Sequence, residues 1–354
     1  MNPSKKVLVC PLDWGLGHAT RCIPVIRELQ RQGAEVLIAS SGQSLDLLKL
    51  EFPGHRFFEL PSYRPVYSSG NLMALKMLLQ IPRFLSVVKE EHTIIEKWIE
   101  MMKIDLIISD NRFGCWSTQV RSVFITHQVR LLMPMYFGWT SPFVNFFIGR
   151  YHGKFTDLWI PDQPGSGLTD VFNPKHKADG INVGWLSRFT KSPYTGKKYE
   201  IIAIVSGPEP QRALFEKLLL DQLTASGKKS LLVAGEPGNF FRKQAGCVEM
   251  VNHLPASALE EAIASAELVI SRSGYSTVMD LIALGKKAIF VPTPQQPEQI
   301  FLADHLMKNR IAFAVNQRNF SLPEALARTH QFQGLSFYTM EPGYLSAAVK
   351  SVLT

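Results

Sequence analysis

The sequence predicts an α/β protein of two Rossmann-like, parallel-sheet halves. Short apolar runs alternate with helical patterns along most of the chain, the rhythm of strand–helix–strand units. That rhythm breaks once, around Pro161, Gln163-Pro164 and Gly165-Ser166-Gly167, and then restarts. A length of 354 residues suits two domains, each able to bury a core of its own.

The elements follow in order. Val7–Leu12 reads as a buried strand, Gly15-Leu16-Gly17-His18 turns the chain, and a helix covers Thr20–Gln32 before Gly33. Glu35–Ser40 is the second strand, with Gly42 opening the next turn. A long helical pattern spans about Leu72–Met102, where Pro82, lacking an N–H, marks a kink or a boundary. Asp105–Ser109 and Ser122–Thr126 are further strands, and Asp157–Ile160 closes this half. After the break, Tyr199–Val205 leads through Ser206-Gly207-Pro208 into a helix around Arg212–Leu223. Ser230–Ala234, Cys247–Val251, Leu268–Ser271 and Lys287–Val291 are four more strands, with helices at Ser257–Ser265 and Thr277–Ala283. The expected domains are residues 1–162 and 187–354, joined by a linker over 163–186. A last helix, about Tyr344–Leu353, suits packing on either half.

Composition narrows the function classes. A hydrophobic share of 46% excludes a disordered chain. Cys10, Cys22, Cys115 and Cys247 lie far apart with no CxxC pair, which argues for a reducing compartment and against structural zinc. The N-terminal apolar run is too short for a signal peptide, so a cytoplasmic protein is expected. The net charge of +8 divides evenly, +4 in residues 1–162 (18 basic, 14 acidic) and +4 in 163–354 (20 basic, 16 acidic). With no basic tail, nucleic acid is not an expected partner. One stretch is lopsided: no acidic residue occurs between Asp110 and Asp157. It holds Arg112, Arg121, Arg130, Arg150 and Lys154 beside Trp116, Met133, Tyr136, Phe137, Trp139, Phe143, Phe146 and Phe147. Such a surface suits the anionic inner face of a membrane; core helices under a basic rim are the alternative. Leu131–Ile148 is interrupted by Pro134, Gly138, Pro142 and Asn145, against a membrane span.

Three constellations bear on chemistry. Asp13 through Arg21 follows the first strand, and Gly15 and Gly17 let the backbone approach a ligand where the helix N-terminus favours an anion. Thr20 stands where a dinucleotide fingerprint has its third glycine, and no acidic residue follows the second strand, so NAD and FAD are disfavoured. His18 is placed to abstract a proton, or merely to cap the helix. Ser271-Arg272-Ser273-Gly274-Tyr275-Ser276-Thr277 joins a strand end to a helix start, a set suited to a diphosphate, with Asp280 one turn on within reach of a ribose. An ordinary N-cap is the alternative. Pro292-Thr293-Pro294-Gln295-Gln296-Pro297-Glu298-Gln299 reads as a stiff loop offering amides and a carboxylate to sugar hydroxyls, or as a plain solvated loop.

Taken together, these motifs resemble the GT-B glycosyltransferases of the family 28, MurG-like group. The resemblance covers GLGHATRxxPVIREL, Thr126-His127-Gln128, Asn182 to Arg188, and SRSGYSTVMDLIALGKKAIFVPTPQQPEQ. It implies two Rossmann-like domains facing a cleft and an inverting, metal-independent transfer with no cofactor. A nucleotide-sugar donor, with UDP favoured by the resemblance, would give its sugar to a hydroxyl acceptor, lipid-linked or of the cell envelope. His18 would be the base, with Gly15 and Gly17 on the acceptor side. By its position at a strand end, Asp110 either orients His18 or caps the Asn111-Arg112 turn, and His127 is either an acceptor-site residue or a buried, hydrogen-bonded histidine. Arg188, Ser206 and Gly207 match phosphate or nucleoside contacts, and His253-Leu254 match the segment over the base. Ser271, Arg272, Ser273, Gly274, Ser276 and Thr277 match the diphosphate turn, with Arg272 and Arg188 stabilising the leaving charge. Asp280 stands where the family has a ribose-binding glutamate. Gln299 matches a donor-sugar contact, while Ile300 replaces a second glutamine that Glu298 would substitute. Two rivals remain open: an isomerase like the non-hydrolysing UDP-sugar 2-epimerases, which needs acid/base carboxylates such as Asp110 and Glu298, and a non-catalytic nucleotide- or glycan-binding protein.

Overall fold

The computed structural model describes residues 4–64, 79–131, 138, 140–166, 168–169, 180–190, 196–236 and 241–354. Residues 72–78 of the expected long helix lie outside them, as do Met133, Pro134, Tyr136, Phe137, Trp139 and much of the expected linker. Contacts divide the chain into one unit of Met1–Leu186 with Glu341–Thr354 and a second of Ser187–Met340.

The first unit runs β1 (Lys6–Pro11), α1 (Leu16–Arg31), β2 (Glu35–Ser40), α2 (Gly42–Glu51), β3 (Arg56–Glu59), α3 (Ile81–Met102), β4 (Leu106–Asp110), β5 (Arg121–Ile125), α4 (Ser141–His152), β6 (Asp157–Ile160) and β7 (Ile181–Asn182). Its seven-stranded sheet has the order β3-β2-β1-β4-β5-β6-β7, and all its pairings are parallel. Side chains alternate across the strands. Val7 and Val9 of β1 pack with α1, whereas Leu8 and Cys10 face Ile95 and Ile99 of α3. A sheet covered on both faces explains why these strands read as continuous apolar runs. Where the sequence reading places a linker, β7 adds an edge strand to this sheet beside β6. Pro82 sits in the first turn of α3, where its missing N–H costs nothing, so it marks a boundary rather than a kink.

The second unit runs β8 (Tyr199–Ile204), α5 (Gln211–Ser226), β9 (Ser230–Val233), β10 (Arg242–Ala245), β11 (Val248–Val251), α6 (Ala256–Ala264), β12 (Ala266–Ser271), α7 (Tyr275–Ala283), β13 (Ala288–Phe290), α8 (Pro297–Lys308), β14 (Phe313–Ala314) and α9 (Leu322–Thr329). The sheet order is β10-β11-β9-β8-β12-β13-β14, antiparallel only at β10–β11. Ile201 and Ala203 of β8 pack under Phe215, Leu219 and Leu223 of α5. The final helix, α10 (Tyr344–Leu353), packs in the first unit, burying Ala348, Val349 and Val352 against α1 and its sheet. Each such valine contributes about 1.5–3 kcal/mol.

The stiff loop expected over 292–299 is shorter than that. Pro297 opens α8 at its first turn, and the Gln296 side chain caps it, accepting from the Gln299 N–H at 3.2 Å. Both sheets reverse their winding at one point, between β1 and β4 in the first and between β8 and β12 in the second. In open α/β sheets, ligands bind outside the strands' carboxyl ends at such a point.

Gly235, in the turn after β9, has φ +71°, and a Cβ there would lie 2.3 Å from the Val205 carbonyl oxygen. Gly235→Ala is expected to destabilise the protein by about 2–4 kcal/mol, through strain and the backbone clash. Gly227→Ala, also at positive φ (+68°) but facing open space, is expected to cost about 1 kcal/mol. Denaturant unfolding of the two variants checks the difference.

Candidate active site

In the first unit, the turn after β1 is held from several sides. Ser44 Oγ of α2 donates to the Leu12 and Gly15 carbonyls at 3.2 Å each. Trp14 packs edge-on against Phe84, with ring centroids 5.3 Å apart. Gly15 precedes α1 with φ +82°, a conformation that a side chain resists. Beneath this turn lies a buried ion pair. Arg112 donates to Glu91 at 2.5 Å, to Ser41 Oγ at 2.6 Å, and to the carbonyls of Pro11 and Pro61 at 2.9 and 3.0 Å. Tyr63 OH donates to the other Glu91 oxygen at 2.7 Å. Burial pushes the Glu91 carboxyl up despite its cationic partner.

The turn places His18 in the first turn of α1, beside Asp110 at the end of β4. His18 Nδ1 lies 2.8 Å from Asp110 Oδ1. Asp110 has no exposed surface. Burial alone would push its carboxyl up, but the Arg21 charge and the His18 contact hold it well below the usual carboxylate range. Arg21 clamps it side-on with one edge of its guanidinium: Nε donates to Oδ2 at 2.7 Å and Nη2 to Oδ1. Arg21 Nη1 also reaches His127 Nδ1 at 2.6 Å. Thus three expected residues, His18, Asp110 and His127, come together around a fourth that was not singled out. The signal for Arg21 was its spacing: i and i+3 put it on the His18 face of α1. Thr20 Oγ1 donates back to the Gly17 carbonyl at 3.0 Å, closing the turn.

In the second unit, Ser206 and Gly207 follow β8, and the 271–277 turn joins β12 to α7, both at the switch point. Gly207 has φ +116°, a conformation a side chain resists, and lies beside Thr293, whose Oγ1 would stand 3.6 Å from a Cβ, an ordinary contact. Ser271 and Ser273 are buried; Ser273 Oγ donates to the Gln299 carbonyl at 2.7 Å. Gln299 Oε1 in turn accepts from the Thr293 N–H at 2.8 Å. The Gln299 amide and Thr277 Oγ1 each lie 4.0 Å from where a Gly274 Cβ would stand. Gly274, Ser276 and Thr277, together with Gln299, therefore surround the N-terminus of α7. Leu254 follows β11 and is half-buried, as is Glu298 in the first turn of α8.

Two of the expected residues are engaged inside the unit. The Arg272 side chain is fully buried. It lies 3.9 Å over the Phe215 ring and donates to the carbonyls of Val291, Pro292 and Gln211 at 3.0, 3.2 and 3.1 Å. Burial pulls its guanidinium down to about 9, still a cation at neutral pH. Its place is under the turn, tying β13 and α5 together. Asp280 is also occupied: Ser187 Oγ donates to its Oδ1 at 2.7 Å and Arg188 Nε to its Oδ2 at 3.2 Å. Burial pushes its carboxyl up against the pull of Arg188. Asp280 thus anchors Arg188 to the helix that carries the turn.

Residues 210–334 match the glycosyltransferase family 28 C-terminal domain. The chain is 23% identical over 329 residues to an uncharacterized glycosyltransferase of Methanosarcina mazei, covering 83% of this chain and 81% of that one. It is 24% identical over 342 residues to the UDP-N-acetylglucosamine–N-acetylmuramyl-(pentapeptide) pyrophosphoryl-undecaprenol N-acetylglucosamine transferase of Glaesserella parasuis, with 92% and 88% covered. Among solved structures, MurG of Acinetobacter baumannii superposes with a TM-score of 0.57 at 14% identity, over 98% of this chain and 99% of that one. The spinosyn rhamnosyltransferase SpnG, solved with thymidine diphosphate, gives 0.61 at 15% identity, over 99% and 95%. The fold is GT-B, and the protein is a glycosyltransferase with a family 28 C-terminal domain.

Because Arg272 is sealed, Arg272→Met should act on stability rather than on ligand contact. Unpairing three carbonyls is expected to cost about 2–4 kcal/mol in denaturant unfolding. A variant as stable as the wild type that has lost nucleotide affinity would restore the phosphate role.

Proposed function

We propose that the protein is an inverting, metal-independent glycosyltransferase that moves a sugar from a UDP-sugar to a hydroxyl of a lipid-linked or cell-envelope acceptor. The observation that carries this reading is His18 Nδ1, 2.8 Å from a buried, ionised Asp110 at a sheet's switch point. With Asp110 accepting at Nδ1, His18 Nε2 takes the acceptor hydroxyl's proton while the oxygen attacks the anomeric carbon. The bond to the diphosphate breaks on the opposite face, and its electron pair leaves with the diphosphate. A base so placed is worth about 10²–10⁴-fold in rate.

The donor is assigned to the second unit. The first turn of α7 favours an anion, and Arg188, anchored by Asp280 of the same helix, adds a cation, so the leaving charge is met without a metal. Ser206, Gly207, Ser276, Thr277, Glu298 and Gln299 are the proposed remaining contacts, with Leu254 over the base. UDP is favoured because the Glaesserella parasuis relative is named for a UDP-sugar donor and an undecaprenol-linked acceptor. The isomerase reading needs a carboxylate free to exchange protons. Asp110 is enclosed, with both oxygens engaged by Arg21 and His18.

A membrane-facing role for the first unit is part of the proposal and places the protein at the cytoplasmic face. Phe143, Phe146 and Phe147 of α4 are 68%, 67% and 45% exposed, with Arg130 and Arg150 exposed in the same acid-free stretch. Among the described residues no helix is long and apolar enough to cross a membrane. Apolar side chains with nearby cations suit the surface of an anionic bilayer.

Thermal-shift measurements with UDP, GDP, TDP and their sugars are expected to give a selective rise with the uridine compounds; no rise with any of them overturns the reading. His18→Ala should keep that rise while transfer falls by at least about 10²-fold. Wild-type protein should co-sediment with phosphatidylglycerol vesicles and not with phosphatidylcholine vesicles. The triple variant Phe143→Ser, Phe146→Ser, Phe147→Ser should lose this binding; equal behaviour of the two proteins ends the membrane proposal.

A further inference from the structure

Arg21 touches all three members of the candidate base cluster, His18, Asp110 and His127. Its side chain is 2% exposed. Nε and Nη2 grip the two Asp110 oxygens, Nη1 meets His127 Nδ1 at 2.6 Å, and Nη2 stands 2.9 Å from His18 Nδ1. Two thiols lie nearby: Cys22 Sγ, 3.7 Å from Asp110 Oδ2, and Cys10 on β1. Burial and then the Asp110 charge hold the Cys22 thiol protonated, so it adds no charge.

Guanidinium donates and never accepts, and that decides where each proton lies. At 2.6 Å from a guanidinium N–H, His127 Nδ1 must be an acceptor, so the proton of a neutral His127 sits on Nε2. Asp110, gripped along both oxygens, is a carboxylate with no proton to give. The 2.8 Å contact between His18 Nδ1 and Asp110 Oδ1 then takes its proton from the imidazole, and the His18 lone pair lies on Nε2. Arg21 Nη2 and His18 Nδ1 are therefore two donors sharing one carboxylate oxygen rather than partners of each other.

We propose that Arg21 is a positioning residue that sets the two histidines in opposite tautomers, His18 with a bare Nε2 and His127 with a protonated Nε2. Resting on the glycosyltransferase reading, this turns a bare nitrogen, His18 Nε2, toward the acceptor hydroxyl as its proton acceptor. A hydroxyl-bearing acceptor suits that nitrogen: it gives a hydrogen bond to His18 Nε2. A carboxylate or phosphate would meet the lone pair of His18 unfavourably.

Imidazole ¹⁵N shifts of the full-length protein test this without turnover, with His18→Ala and His127→Ala assigning the signals. The wild type is expected to show protonated Nδ1 and bare Nε2 for His18, and the reverse for His127. A wild type with His127 protonated at Nδ1 overturns the proposal. Arg21→Met is expected to move both rings toward mixed tautomers and to lower kcat by about 10²-fold with the donor KM unchanged. Unchanged ¹⁵N patterns in the folded variant also overturn the proposal. If Arg21→Met does not fold, Arg21→Lys decides instead: a single ammonium cannot bridge Asp110 and His127, so the His127 pattern should be lost. Opposite tautomers in a wild type that transfers no sugar leave this inference standing and sink the proposed function. Transfer with the wrong tautomers does the reverse.

Discussion

A carboxylate sealed from water at a strand end is stable as an anion only if cations and N–H groups replace its hydration. Asp110 meets that condition through Arg21 and His18, both carried by α1, and the consequences spread outward. Because the clamp spans α1 and β4, it ties the helix after β1 to the strand on the other side of the sheet's switch point. The backbone adds to this, with the Leu12 N–H donating to the Asp110 carbonyl at 2.9 Å. Removing one partner of such a pair leaves an uncompensated charge, at a cost of about 3–5 kcal/mol. The neighbouring Arg112–Glu91 pair works in the same way one layer away, joining α3 to the loops that carry Asp13 and Tyr63. Two buried ion pairs thus fix the loop geometry on which the candidate base depends.

The second unit solves its own switch point differently. Arg272 is as deeply buried as Asp110, yet its described hydrogen-bond partners are backbone carbonyls, and the flat face of Phe215 lies beneath it. Carbonyl dipoles and a ring face stabilise a cation without cancelling its charge. The arginine therefore still contributes positive potential beneath the turn that opens α7, where the helix's own dipole has the same sign. A site of this kind attracts a diphosphate through field and backbone rather than through an exposed cationic side chain. Asp280, which pairs with Arg188, is the nearby negative charge and is itself engaged.

Much of the fold was legible because buried parallel strands announce themselves as apolar runs: Glu35–Ser40 and Asp157–Ile160 match the sequence reading residue for residue. What escaped was whatever lacked that signature. β3 is half-exposed, β7 and β14 are two residues each, and α8 hides behind a run of prolines and glutamines. At the site, the sequence placed His18, Asp110 and His127 at strand ends and turns, where position implies function. Arg21 lies within an amphipathic helix, where an arginine ordinarily faces water, and only the fold reveals that this one faces inward. Arg272 is the converse case: an arginine beside a phosphate-type turn reads as a ligand contact, and only the fold shows that its side chain packs against α5.

The acid-free stretch makes the same point about charge. Counted in sequence, it holds five cations and no anion between Asp110 and Asp157. In the fold, Arg112 is neutralised inside by Glu91, and Arg121 is paired with Asp157 at 2.6 Å. Lys154 lies 4.5 Å over the Trp116 ring and stays an exposed cation. Arg130 and Arg150 are exposed as well, and Arg150 shares α4 with the exposed phenylalanines. The basic surface is thus smaller than the composition implies, and Arg150 puts part of it on the helix of the apolar one. Long-range attraction from so few cations is weak at physiological salt, where charges are screened within about 8 Å. Any affinity of this helix for a lipid surface must therefore come mainly from its phenylalanines, with the arginines selecting the sign of the surface they meet.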